Sequence, residues 1–103
     1  MSTKNEPAIR VIVELQAKPG KRAELKSLLE RVAGKYGPSQ AGFLGSVRYE
    51  VLDNPNILVE IADWTSTEVR AVAMQEAMAA GAYAPLEELL AAPFRATVIR
   101  QLP

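Results

Sequence analysis

The chain has 103 residues, 49% of them hydrophobic, and Lys plus Arg equals Asp plus Glu at 12 each. That describes one globular domain, too apolar for disorder, with no net field to draw nucleic acid, an anionic membrane or an acidic partner. Cys and His are both absent, which excludes disulfides and Cys-ligated metal centres, removes the default general base, and leaves carboxylates, tyrosines, arginines and one tryptophan for any chemistry.

Residues 1–7 are polar and end in Pro7; they read as a disordered lead-in to a single domain over 8–103. In "AIRVIVELQA", Ile9, Val11, Val13 and Leu15 recur at period two and predict a strand that "KPG" ends. "KRAELKSLLERVAGKYG" places Ala23, Leu25, Leu28, Leu29, Val32 and Tyr36 at helical spacing, with Gly34 and Gly37 suited to its C-terminal end. A second strand is expected over 42–52 and its hairpin partner over 57–64, joined by the turn-forming "DNPN". A four-residue loop pairs Leu52 with Ile57 and sets Tyr49 opposite Glu60; a loop one residue shorter or longer brings Arg48 or Glu50 there instead.

After Trp64, Thr65 and Glu68 have capping-box spacing ahead of a helix reaching about Ala80. Gly81 interrupts it, "YAPLEELLAA" predicts a short helix with Leu86, Leu89 and Leu90 inward, and "FRATVIRQL" alternates as a last strand. The order β-α-β-β-α-(α)-β is the ferredoxin-like plan, an α+β fold whose four-stranded antiparallel sheet has helices on one face. Strict alternation gives the other face Ile12, Leu44, Leu52 and Ile99 among Arg10, Glu14, Arg48 and Arg95. That face is too apolar for solvent and too charged for a core, so a homodimer packing sheet against sheet is expected. No apolar stretch nears the ~20 residues that span a bilayer, and the expected location is the cytoplasm.

"KPGKRAELKSLLERV", "AGFLGSVRYEVLDNPNILVEIADWTSTEV" and "PLEELLAAPFRATVIRQL" together resemble the antibiotic biosynthesis monooxygenase family from Ile9 to Leu102. The resemblance implies a dimeric α+β barrel and a cofactor-independent monooxygenase acting on a small aromatic phenol, quinol or polyketide-like substrate. Trp64 matches the family's strand-end Trp. Where polyketide-oxidising members carry Asn, Tyr and Arg around it, this chain has Glu60, Arg70 and Ala84. Where haem-degrading members carry Asn, Trp and a ligating His, it has Val13, Ala73 and Tyr83, and where quinol-oxidising members often carry His it has Ala73 and Met78. No haem, flavin or metal is expected.

Two residues are the catalytic candidates. Glu60 interrupts the apolar "ILVEIA" on the same strand face as Trp64; in a dry pocket its pKa rises and it suits removal of a phenol or enol proton. Trp64 presents an indole face and one N–H to a flat ring. Substrate contacts are expected from Tyr49, Arg70, Met74, Met78 and Tyr83: phenols that hydrogen-bond, a cation for an anion, and compliant thioethers for a wall. Each has a plainer use, as a cross-strand pair, a solvated charge or core packing. The alternatives to an enzyme are a non-catalytic small-molecule binder and a structural dimer that fills its barrel with its own side chains.

Overall fold

A computed structural model describes residues 8–36 and 41–103. Its elements are β1 (Ile9–Gln16), α1 (Arg22–Tyr36), β2 (Phe43–Glu50), β3 (Ile57–Trp64), α2 (Thr67–Ala79), α3 (Ala84–Leu89) and β4 (Arg95–Ile99). The strands form one antiparallel sheet in the order β2-β3-β1-β4, the α+β ferredoxin-like arrangement. The expected lead-in over 1–7, Gly37 and the packing of the Tyr36 side chain lie outside the described residues; α1 itself continues through Gly34.

Alternation along the strands decides what each face holds. Odd residues of β1 and even residues of β3 face the helices and build the core in two parts. Leu15, Ala17 and Leu58 pack with Leu25, Leu28 and Leu29 of α1 and with Leu86 and Leu90 at α3. Ile9, Val11, Ala62 and Trp64 pack with Ala73 of α2. Between the two parts runs one row of the sheet, Arg48–Glu60–Val13–Ala96. Arg48 and Glu60 put a charged pair at that boundary, and Val13 packs against both apolar clusters.

The opposite face carries Val47–Ile61–Ile12–Thr97 in its middle row, Gly45–Asp63–Arg10–Ile99 on one side and Tyr49–Val59–Glu14–Arg95 on the other. Val47 is 53%, Tyr49 50% and Ile99 39% exposed. No described helix covers this face.

Four expectations are corrected. The β2–β3 loop has five residues, 52–56, because Val51 and not Leu52 pairs with Ile57: the Val51 amide donates to the Ile57 carbonyl at 3.4 Å. Inside the loop the Asn54 side chain accepts from the Asn56 amide at 3.0 Å, an Asx turn that takes up the extra residue and leaves Leu52 92% exposed. Arg48 is therefore opposite Glu60 on the helix side, while Tyr49 and Val47 point to the open face. A bulge between Phe43 and Gly45 puts Leu44 outside the alternation. The cap of α2 is Ser66, whose Oγ accepts from the Val69 amide at 3.2 Å; the Thr65 amide instead ties to the Gly42 carbonyl at 2.9 Å. Ala23 of α1 is exposed rather than inward.

Candidate active site

A cavity of about 130 Å³ lies at the seam between the two core clusters. Its walls come from β1 (Val11, Val13), β3 (Glu60, Trp64), α2 (Arg70, Met74) and the segments around α3 (Tyr83, Phe94). Two local features hold it open. Small side chains at Ala62, Ala73 and Ala77 leave volume where the sheet faces α2. Gly81, at φ +72°, turns the chain out of α2 so that α3 returns at an angle. The end of β1 then fixes α3: the Lys18 amide donates to the Leu89 carbonyl at 2.9 Å and the Ala91 amide to the Gln16 carbonyl at 2.8 Å.

Glu60 is the only carboxylate among the described residues lining the cavity. Arg48 Nη1 lies 3.4 Å from its Oε2, and the two side chains are 23% and 19% exposed, Arg48 first. Arg48 Nη1 also donates to Ser46 Oγ at 3.3 Å. Burial raises the Glu60 pKa, and the charge and hydrogen bond of Arg48 only partly oppose it. The result is a largely buried carboxyl, with the Arg48 guanidinium beside it from β2 and Val13 opposite its residue on β1.

Above it, Tyr83 donates its hydroxyl to Met74 Sδ at 3.2 Å and stacks at a tilt against Phe94, ring centres 6.2 Å apart. Burial raises the Tyr83 pKa first, the nearby Glu60 charge adds to the rise, and Arg70 opposes it. Tyr83 therefore sits within electrostatic reach of both charged groups. At the other end Trp64, 5% exposed, meets Phe43 edge to face with centres 5.1 Å apart.

Of the residues singled out in the sequence, Glu60, Trp64, Arg70, Met74 and Tyr83 are brought together around the cavity. Tyr49 and Met78 are not. Tyr49 lies on the open face because of the one-residue change of register, and Met78 projects from α2 at 69% exposure. Sequence reasoning did not assign Phe43 or Phe94 to the site. The aromatic after the Gly42 turn was a usable signal for Phe43; Phe94 stands in an irregular stretch that periodicity does not orient. Among the described residues no three His, Cys, Asp or Glu side chains cluster to hold a metal ion, and no helix is long and apolar enough to cross a membrane.

A family model described as antibiotic biosynthesis monooxygenase matches residues 8–82. No curated protein matches the chain. Among solved structures, a conserved protein from Methanosarcina mazei superposes with TM-score 0.82 at 22% identity, over 96% of this chain and 97% of that one. Rv0793 from Mycobacterium tuberculosis does so with TM-score 0.78 at 23% identity, over 93% and 96%. SnoaB, a cofactor-independent oxygenase from Streptomyces nogalater, gives TM-score 0.78 at 19% identity, over 91% and 92%. At these identities the structural likeness shows a shared fold.

Proposed function

The chain belongs to the antibiotic biosynthesis monooxygenase family, and we propose that it oxidises a small single-ring phenol or quinol directly with O₂, without a bound cofactor. The observation that supports this is the placement of Glu60 and Trp64 on one apolar cavity. Size narrows the substrate. An apolar cavity of about 150 Å³ accepts a benzene ring, whereas drug-sized ligands occupy roughly 300–1,000 Å³. The cavity here, about 130 Å³, suits one ring better than a fused polyketide.

In this scheme the ring lies against Trp64 and its hydroxyl points to Glu60. The carboxylate takes the phenolic proton. Its pKa, raised by burial, makes it a better base than a solvated glutamate. Once Glu60 is neutral, the charge of Arg48 beside it stabilises the phenolate. The electron-rich ring reduces O₂ by one electron, and recombination forms a C–O bond to a ring carbon. Glu60 returns its proton to the peroxide. Loss of that carbon's hydrogen as a proton, together with hydroxide, breaks the O–O bond and leaves a carbonyl. Phenol plus O₂ thus yields quinone plus water, and the substrate supplies all four electrons.

Trp64 is the sole tryptophan, so its fluorescence reports the site directly. Single-ring phenols and quinols are expected to quench it saturably and to drive O₂ uptake that disappears in Glu60→Gln. Quenching without uptake overturns the catalytic reading and leaves a binding protein in which Glu60 serves only as the counter-charge of Arg48. Absence of quenching by the whole panel points to a structural dimer. On any of these outcomes the open sheet face is proposed to pack against a second copy of the chain, since its central row is apolar and partly exposed.

A further inference from the structure

Resting on the aromatic-pocket reading above, we propose that the site takes its substrate as a monoanion: a single-ring phenol bearing a carboxylate, with Arg70 as the residue that selects for the acid group. Arg70 and Glu60 are the only charged side chains among the described residues that line the cavity. They are not equivalent. Glu60 has its counter-charge in Arg48. Arg70 has none: no carboxylate among the described residues lies within ion-pair distance of its guanidinium. Arg48, Glu60 and Arg70 together therefore leave one positive charge beside a largely apolar space.

A partly buried arginine lining such a space is satisfied best by a carboxylate, which matches the planar pair of donors on its guanidinium. The two charges also lie on different elements, Glu60 on β3 and Arg70 on α2. Tyr83 is within electrostatic reach of both. A ring carrying a hydroxyl and a carboxylate at separate positions gives each charge its own partner. The bound state is then neutral over the three protein charges and the ligand. Moving the phenolic proton to Glu60 keeps it so.

The experiment titrates Trp64 fluorescence of the full chain with phenol, 3-hydroxybenzoate and 4-hydroxybenzoate at neutral pH, in the parent chain, Arg70→Gln and Arg70→Lys. At least one acid is expected to bind about tenfold more tightly than phenol, the worth of one charge-assisted contact. In Arg70→Gln the ratio of acid to phenol affinity is expected to fall to near one. Arg70→Lys should keep part of the preference, because the charge remains but the planar fork is lost. Added salt should weaken the acid more than phenol in the parent chain, which tests the point even if a variant misfolds. Phenol binding with neither acid preferred, or a preference that survives Arg70→Gln, overturns the selection by Arg70 and leaves the aromatic pocket standing. Failure of all three ligands to bind removes the aromatic pocket and the selection together.

Discussion

On the helix-covered face of the sheet, the charged pair Arg48–Glu60 occupies the middle and apolar clusters lie to either side. On the open face the apolar row Val47–Ile61–Ile12 is in the middle, and Arg10–Asp63, Glu14 and Arg95 flank it. The two faces use similar residue types in inverted order, and the inversion separates two kinds of site. A charge placed inside an apolar layer is desolvated, so its proton affinity moves, and the surrounding space is shaped around it. Charges at the rim of an apolar patch remain hydrated and fix orientation when a second surface arrives. On the reading proposed above, the covered face serves as a reaction chamber and the open face as a contact surface.

Leu58 and Ile61 sharpen the contrast, because they stand on one strand and face opposite ways. Leu58 is 3% exposed within the core around α1 and α3. Truncation in Leu58→Ala is expected to remove about 2–5 kcal/mol of unfolding free energy, measured by urea denaturation. A loss below about 1 kcal/mol would show that the covered face is loosely packed near the cavity. Ile61→Glu should instead leave most of the fold's stability intact and act on association. A charge at the centre of a sheet–sheet contact is expected to weaken a dimer by about 2–4 kcal/mol. Sedimentation would then show the species shift toward the 11.2 kDa chain. An unchanged dimer in Ile61→Glu places the interface elsewhere.

Arg48→Met tests the middle of the covered face. Among the described residues, Arg48 is the group that holds the Glu60 pKa down against burial, so its removal is expected to raise that pKa further. Carboxyl carbon shifts followed by NMR across pH measure it, and O₂ uptake, if it depends on ionised Glu60, should move to higher pH in step. A downward movement would mean that Arg48 does not hold the Glu60 pKa down.

Much of this arrangement is legible in the sequence, for reasons that also explain the misses. β3 occupies residues 57–64 as expected, since "ILVEIADW" begins after turn chemistry and ends at a capped helix. Glu60 stands out because a carboxylate in an apolar strand has few explanations. The partner of Glu60 was not legible. Strand pairing repeats every two residues, so one residue in the loop decides which side chains share a face. That residue is absorbed by a side-chain hydrogen bond at Asn54, which leaves no trace in hydropathy. The same slip exchanges Arg48 and Tyr49 between the two faces. The cap of α2 shifted from Thr65 to Ser66 for a similar reason, both residues being good caps and only the chain's path past Gly42 choosing between them.

The finest test of the inversion is the pH dependence of stability. Glu60 on the covered face has its pKa raised from an ordinary 4.5, by burial. Asp63 on the open face has its pKa lowered from 3.8, chiefly by the hydrogen bond from Arg10 at 2.8 Å. Between 4.5 and the folded value of Glu60, the folded chain keeps a proton that the unfolded chain has released. Stability therefore falls as pH rises through that window and stays lower above it. For Asp63 the order is reversed: its contribution is present above the unfolded value and is lost as pH falls through the folded one. Glu60→Gln, which keeps an acceptor for Arg48, is then expected to be more stable than the parent near neutral pH, and Asp63→Asn slightly less stable. All three should converge in acid. The Asp63 pair is solvent-facing, with side chains 55% and 38% exposed, so its effect should shrink with added salt while the gain in Glu60→Gln persists. Urea midpoints from about pH 3 to about pH 8, at low and high salt, measure both slopes. Slopes of the same sign would mean that the two faces impose the same environment on a carboxylate, and the division into chamber and contact surface would fail.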